Sequence, residues 1–465
     1  IRRCCRKRFN VMEGKIESTL KGYAKLRPLR FHMPGHKAEK EFCKHFPGAA
    51  YDITELGFSD SLQHPEGIIR EAEDEVRDVL GAKKTYFLTD GSTCGVLSML
   101  YAAREFGRKI IVNRNAHQSV FNACKLFGIE PVILNQNVKN GVMMPPTADE
   151  LEKTLDDTPE AIGFLLTYPD YYGLTFDIAR AKELTASRNK LLLIDGAHGA
   201  HLRFAAMPPY AGDFADIWVD GVHKTLPCLT QAALLNVGNK GLIAKVTNAV
   251  NMFRTTSPSY AIMSSIEYGE KFMAENGREL LSKLRVEVAA LRTRLEAKGY
   301  ACLKDADSLK LAVDFKPVGI STYKAEKILN KHNVFAEMND GRYLLFLFGP
   351  TTDKRSLDVL ESRLKKLVSR EELKNTFAAR ADVRFGVRKM PYLTANVNSR
   401  KESVDLKESA GKILAENVGV FPPCFPLCMA GEVMTEDIIA ILSEAKNTFG
   451  IINNKVKVVK EQADK

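Results

Sequence analysis

The chain has no apolar stretch approaching the roughly twenty residues that a bilayer-spanning helix requires, so no membrane role is expected. Patterned cysteine is also missing. Nine cysteines are scattered along 465 residues, with Cys4 and Cys5 adjacent and no CxxC spacing. An odd, unpatterned set argues against a disulfide framework or a zinc site and fits free thiols in a reducing cytoplasm. No metal is expected. There is no internal repeat, and the basic N-terminus is not followed by the apolar core of a secretory signal. A surplus of one charge sign is absent from most of the chain. The formal net charge is +10, but Arg2, Arg3, Arg6, Lys7 and Arg8 stand together before the first acid, and elsewhere the signs are mixed. Nucleic acid is therefore not an expected partner. No methionine stands at position 1. Residues 1–11 read as upstream read-through and Met12 as the start, the alternative being a basic arm for an acidic partner. What remains, 45% hydrophobic and 27% charged, is ordinary globular composition with apolar residues enough for two or three domains.

Three stretches carry chemistry. Residues 216–231, DIWVDGVHKTLPCLTQ, place a short apolar run before Asp220 and Gly221, then His223 and Lys224. A lysine at the end of a buried strand loses its proton readily. A neutral, positioned amine is what Schiff-base chemistry uses. A lone His-Lys pair is more often a surface loop, but this pair has company. Residues 190–204, KLLLIDGAHGAHLRF, read as a buried strand ending in Asp195 with His198 close behind. Residues 86–107, YFLTDGSTCGVLSMLYAAREFG, read as strand, turn and helix. Amides at a helix N-terminus favour an anion, Gly91 allows close approach of backbone, and Ser92 and Thr93 add hydroxyls. Taken alone, that turn is better read as a plain N-cap. His117, in RNAHQS, precedes another helix, where it is a cap, a core residue or a surface on which a cofactor ring stacks.

Around these stretches, short apolar runs at 109–113, 129–134 and 162–167 alternate with helical patterns at 148–155 and 178–188. The alternation argues for an α/β fold, a mostly parallel sheet with helices on both faces. Ligands in such sheets bind beyond the carboxyl ends of strands, where the singled-out residues fall. A strand at 232–237 is expected to return antiparallel. Residues 12–30 read as a helical arm and 52–67 as an ordered polar loop of the kind that lines a site. A long helix is expected over 262–298, then strands at 309–315 and 343–348 around a helix at 323–331. Near the end, helices are expected at 405–417 and 435–448, and a frayed tail over 453–465. The organisation expected is an arm (1–30), a large domain (31–260), a smaller α/β domain (261–370) and a C-terminal α+β domain (371–465).

FHMPGHK, DITELGFSDSL, DGST, RNAHQS, YPDYYG, IDGAHGAH, VHKTLPCLTQ and VFPPCFP follow one another between about residues 30 and 442. Together they resemble the Orn/Lys/Arg decarboxylase family, in the short bacterial form without the N-terminal wing domain. The resemblance implies a fold-type I enzyme, aminotransferase-like, dependent on pyridoxal 5'-phosphate (PLP). It implies that Lys224 bonds the cofactor, Asp195 pairs with the pyridine nitrogen and His117 stacks on the ring. Ser92 and Thr93, with Gly91 and His223 beside them, would hold the phosphate, and His198 would lie near the ring hydroxyl or the substrate carboxylate. The implied activity is decarboxylation of arginine, lysine or ornithine to a polyamine-type amine. The implied assembly is a cytoplasmic homodimer or higher oligomer, with residues 255–260 reaching a partner's phosphate site. The chain departs from the family where Gly221 replaces a common serine, and where FPPCFP and AGE, with Cys424 and Ala430, replace YPPGIP and PGE. A basic substrate asks for an acid at its far end, and Glu337, Asp340 and Asp60 are the candidates. The alternative is another fold-type I reaction such as aminotransfer or a lyase step, for which Arg384 or Arg388 would hold a substrate carboxylate.

Overall fold

KIIV, GFLLT, IWVD and ALLNV are near-continuous apolar strands, which only a sheet covered on both faces can bury. The computed structural model describes residues 13–134, 136–304, 307, 309–376, 385–421, 424–445 and 447–460. It gathers these strands into a seven-stranded sheet. The order is Lys84–Leu88, Ala233–Val237, Ile217–Asp220, Leu191–Gly196, Gly163–Thr167, Lys109–Val112 and Glu130–Ile133. Ala233–Val237 runs antiparallel to both neighbours, and every other pair is parallel.

Successive residues of a strand point to opposite faces. Leu192 and Ile194 accordingly join one core, with Met263 and Ile266 of helix Tyr260–Glu296 and Ile69 and Val76 of helix Ile68–Leu80. Leu193, Val219 and Leu235 join the other, with helices Gly91–Ala103, Gln118–Phe127 and Ile243–Phe253. The fold is α/β, as expected. Helix Tyr260–Glu296 leaves the large sheet and runs on to pack against helix Lys354–Val368. There a second sheet, Ala301–Cys302, Lys310–Asp314, Tyr343–Leu347 and Met338–Asn339, is antiparallel throughout.

The last segment differs from expectation in three places, one being that the helix expected over 435–448 spans only Glu436–Glu444, with Thr448–Phe449 a strand. Residues 405–417 are not a helix. Strand Lys401–Asp405 is followed by a single turn, and Gly411 then takes a left-handed φ of +76° that a helix cannot accommodate. Backbone amides of this stretch are spent elsewhere, Leu414 on the Glu432 carbonyl and Ala415 on the Lys457 carbonyl. Nor is the tail frayed over its described part. Lys455–Val459 pairs along its whole length with Lys401–Asp405 and buries Val456 and Val458. Residues 1–12, including the questioned start at Met12, and residues 461–465 lie outside the described residues.

Candidate active site

The carboxyl ends of the central strands open into a cavity of about 520 Å³. Gly91, Ser92, Thr93, His117, Asp195, His198, His223 and Lys224 all line it. The structure therefore brings together every residue singled out in the sequence for catalysis or cofactor binding.

Lys224 sits in the short helical turn Val222–Thr225 that follows strand Ile217–Asp220. Burial pulls its pKa below the ordinary lysine value, with the Asp195 charge opposing. Its Nζ lies 3.2 Å from His198 Nε2. His198 is itself buried, and burial with the Lys224 charge beside it holds the imidazole well below its ordinary pKa. The ring packs edge-on against Tyr171, with centroids 4.7 Å apart. Asp195 is 3% exposed, and its Oδ1 accepts from the Ala197 amide at 3.2 Å. Beneath this group, Asp220 receives Tyr210 Oη at 2.6 Å, Trp218 Nε1 at 2.9 Å and Asn236 Nδ2 at 3.1 Å. Burial nevertheless pushes the Asp220 pKa up to about 7.

The other end of the cavity is built from hydroxyls. Helix Gly91–Ala103 starts at Gly91 and has no side-chain cap, so Ser92 and Thr93 lie in its first turn and are not caps. Ser92 Oγ, Thr167 Oγ1 and His198 Nδ1 are buried with no partner among the described residues. Leaving a buried polar group unpaired costs on the order of 1–3 kcal/mol, so the cavity is made for a polar occupant. A Cβ at Gly221 would lie 2.5 Å from the Ala197 carbonyl and 2.9 Å from Ser92 Oγ. The space for a serine side chain is thus closed by the backbone and the Ser92 hydroxyl. His223 Nδ1 lies 2.8 Å from the Ala232 carbonyl, which can only accept, so this nitrogen carries the ring proton. His117 is both things at once. Its Nδ1 accepts from the Ser119 amide at 3.2 Å as the N-cap of Gln118–Phe127, and its ring lines the cavity. Burial lowers its pKa.

Phe421, Cys424 and Phe425 close the cavity from the C-terminal segment. Cys424 holds the left-handed φ of +61° at the position where the family pattern has glycine, and its carbonyl receives the Gln118 amide at 3.0 Å. Glu432, of the AGE motif, pairs through both oxygens with Arg114, each at 2.8 Å, three residues before His117. Arg388 is not in the site. It sits against the Ala430 carbonyl and Glu432, outside the cavity. Arg384 lies outside the described residues. Asp60 is spent on the amides of Ser61, Glu66, Gly67 and Ile69 at 2.8–3.0 Å, and no residue of the 52–67 loop lines this chain's cavity. Glu337 and Asp340 do not line the cavity; they receive the hydroxyls of Tyr171 and Tyr172, which do. Sequence reasoning passed over Thr167 and Thr230, both lining. For Thr167 the signal was a hydroxyl ending an apolar strand, GFLLT.

This architecture is shared with the solved structure of lysine decarboxylase A from Pseudomonas aeruginosa. The TM-score is 0.81 at 18% identity, over 96% of this chain and 80% of that one. Alanine–glyoxylate aminotransferase from Nostoc sp. also matches, with TM-score 0.56 and 16% identity over 67% of this chain and 89% of that one. The fold is that of the fold-type I PLP-dependent enzymes. Residues 16–313 match the Orn/Lys/Arg decarboxylase major domain, and residues 377–452 match the C-terminal domain of the same family. An arginine decarboxylase of Halalkalibacterium halodurans is 31% identical over 450 residues, 91% of either chain. The chain belongs to the Orn/Lys/Arg decarboxylase family and is an amino-acid decarboxylase.

Proposed function

We propose that the protein decarboxylates a basic amino acid, arginine ahead of lysine and ornithine, with PLP bonded to Lys224. The products are CO2 and a polyamine-type amine, agmatine in the case of arginine. The observation that carries this reading is the Lys224 amine, its pKa lowered by burial at a strand end beside Asp195 and His198. The donor set fits PLP. The unpartnered Ser92 hydroxyl, Thr93 and the uncapped helix start at Gly91 suit a phosphate, with His223 next to them. Asp195 suits a protonated pyridine nitrogen, and His117 offers a ring face. Bound there, PLP supplies an electron sink for the pair left on the substrate's α-carbon as CO2 departs.

The chain's own residues do the rest. Asp195, a carboxylate in a low-dielectric wall, favours the protonated state of a nitrogen facing it. Lys224 Nζ and His198 Nε2, 3.2 Å apart, share a proton that either can return to the α-carbon in place of CO2. Tyr171, packed on His198, shields that pair from water. Arginine is favoured by the 31% identity to an arginine decarboxylase over most of the chain. Aminotransfer is disfavoured because Arg388 is committed to Glu432 and no arginine lines the cavity among the described residues. A cytoplasmic homodimer belongs to the same proposal. Leu29, Phe31 and Met33, exposed to 84%, 93% and 64%, offer an apolar surface for it, and exposed Thr256 and Ser257 are free to reach a partner's phosphate site.

Product analysis tests the reading. The PLP-loaded protein is incubated separately with arginine, lysine and ornithine, and amines are identified by mass spectrometry. Agmatine is expected from arginine, and none from Lys224→Ala. No amine from any of the three substrates refutes the proposal.

A further inference from the structure

Behind the turn that carries Tyr171 lies a buried cluster of charge that the mechanism above does not use. Lys310 opens strand Lys310–Asp314 of the second sheet, and its side chain is 1% exposed. A lysine is almost never buried so deeply unless it is paired. Its Nζ lies 3.0 Å from Asp307 Oδ2 and donates to the Asp170 carbonyl at 3.2 Å. Asp307, its side chain fully buried, faces His201 Nε2 at 3.4 Å through Oδ1, and its amide donates to the Gly173 carbonyl at 3.0 Å. Gly173 has a φ of +89°, and a Cβ there would lie 2.8 Å from Asp307 Oδ2 and 3.0 Å from Lys310 Cδ. The pair thus grips, from the second sheet, two segments that build one end of the site. One is the turn 168–174, which sets Tyr171 on the His198 ring. The other is the turn Ala200–Phe204, in which His201 stands three residues after His198.

We propose that Lys310 is a positioning residue for the Lys224–His198 pair: it clamps the segments that carry Tyr171 and His198, and it fixes a cation behind them. The inference rests on the PLP-dependent decarboxylase reading above. Packing alone would be served as well by apolar side chains. A buried ammonium adds direction, because it must point at oxygens, and here those belong to Asp307 and the Asp170 carbonyl. Asp307 is the counter-charge. Asp170 gives Oδ1 to the Leu174 amide, and burial raises its carboxyl to about 6. The Lys310 charge is felt at both members of the pair. At Lys224, burial lowers the pKa most; Asp195 and Glu337 oppose and Lys310 assists. At His198, burial and the Lys224 charge come first, and Lys310, His117 and His201 add to them. A neutral Lys224 amine is what bonds PLP. A cation fixed behind the pair also makes the proton they share easier to give to the α-carbon.

Three variants test this. Lys310→Met removes the cation and keeps the length. Asp307→Asn leaves the cation unopposed. The double variant exchanges the pair for neutral groups of similar volume, a change that buried ion pairs tolerate, so it is expected to fold even where a single variant does not. The readout is the pH midpoint of the absorbance change of PLP bonded to Lys224 in the holoprotein, which needs no turnover. Lys310→Met should raise the midpoint by on the order of one pH unit. The double variant should raise it by less, and Asp307→Asn should lower it. With the clamp gone, kcat for arginine in the double variant should fall about 10- to 100-fold, with KM within a few-fold. A pair that only held the fold together would move the melting temperature without this order of midpoints. A double variant with the wild-type midpoint and kcat, or single variants that shift the midpoint in the same direction, overturns the inference while leaving the decarboxylase reading intact. A wild-type protein that bonds PLP but forms no amine from arginine, lysine or ornithine overturns that reading alone. A wild type that takes up no PLP overturns both.

Discussion

Replacing Glu270 by glutamine should stabilise this protein, and more so as pH rises. Glu270 lies on helix Tyr260–Glu296, 1% exposed, with neither carboxylate oxygen partnered among the described residues. Burial pushes its pKa up to about 8 from 4.5, the Asp220 charge adds to the rise, and Arg203 opposes it. Between pH 4.5 and 8 the folded protein therefore holds a proton that the unfolded chain has released. Stability falls with rising pH wherever the folded state binds more protons. One pKa unit corresponds to about 1.4 kcal/mol, so the loss reaches on the order of 3 kcal/mol by pH 7 and about 4 kcal/mol by pH 8. Glutamine fills the same space without ionising, so Glu270→Gln should melt close to wild type at pH 4.5 to 5 and clearly above it at pH 8. Matched thermal scans of the two holoproteins at each pH measure the difference. A melting-temperature gap that stays constant from pH 5 to pH 8 would show that Glu270 is not a buried neutral acid.

Three further outcomes are expected. Glu432→Gln leaves the buried Arg114 guanidinium without its bidentate carboxylate and should cost about 3–5 kcal/mol in denaturant melts. Because Arg114 lies three residues before His117, PLP titration should also show weaker cofactor binding. Ser92→Ala should weaken PLP about tenfold in a spectroscopic titration, while the melting temperature of the cofactor-free protein stays level or rises, since an unpartnered buried hydroxyl is removed. Cys424→Gly relieves a left-handed backbone carrying a side chain and should raise stability by about 1 kcal/mol, read as a higher denaturation midpoint.

Much of the fold was legible because its determinants are local. An apolar run ended by Asp195 or by His223 and Lys224 announces a buried strand whose carboxyl end carries chemistry, and neither the run nor its spacing depends on distant residues. The helices Gly91–Ala103 and Gln118–Phe127 were legible for the same reason, through apolar spacing and the turn residues before them. What stayed hidden depends on pairs far apart in sequence. Lys455–Val459 looked like a polar tail because its partner strand, Lys401–Asp405, is more than fifty residues away. Once paired, its alternate valines face inward. Arg388 looked available to a substrate until packing set it against Glu432. Ser92 looked like a cap until the helix was seen to begin one residue before it. Composition and periodicity by themselves determined the layered α/β class and the order of the chemical motifs, since backbone geometry repeats along the chain. Only the tertiary structure decided which charges are spent on neighbours, Arg388 on Glu432 among them. Whether a buried or rim group is satisfied depends on its neighbours in space, and sequence distance carries almost no information about those.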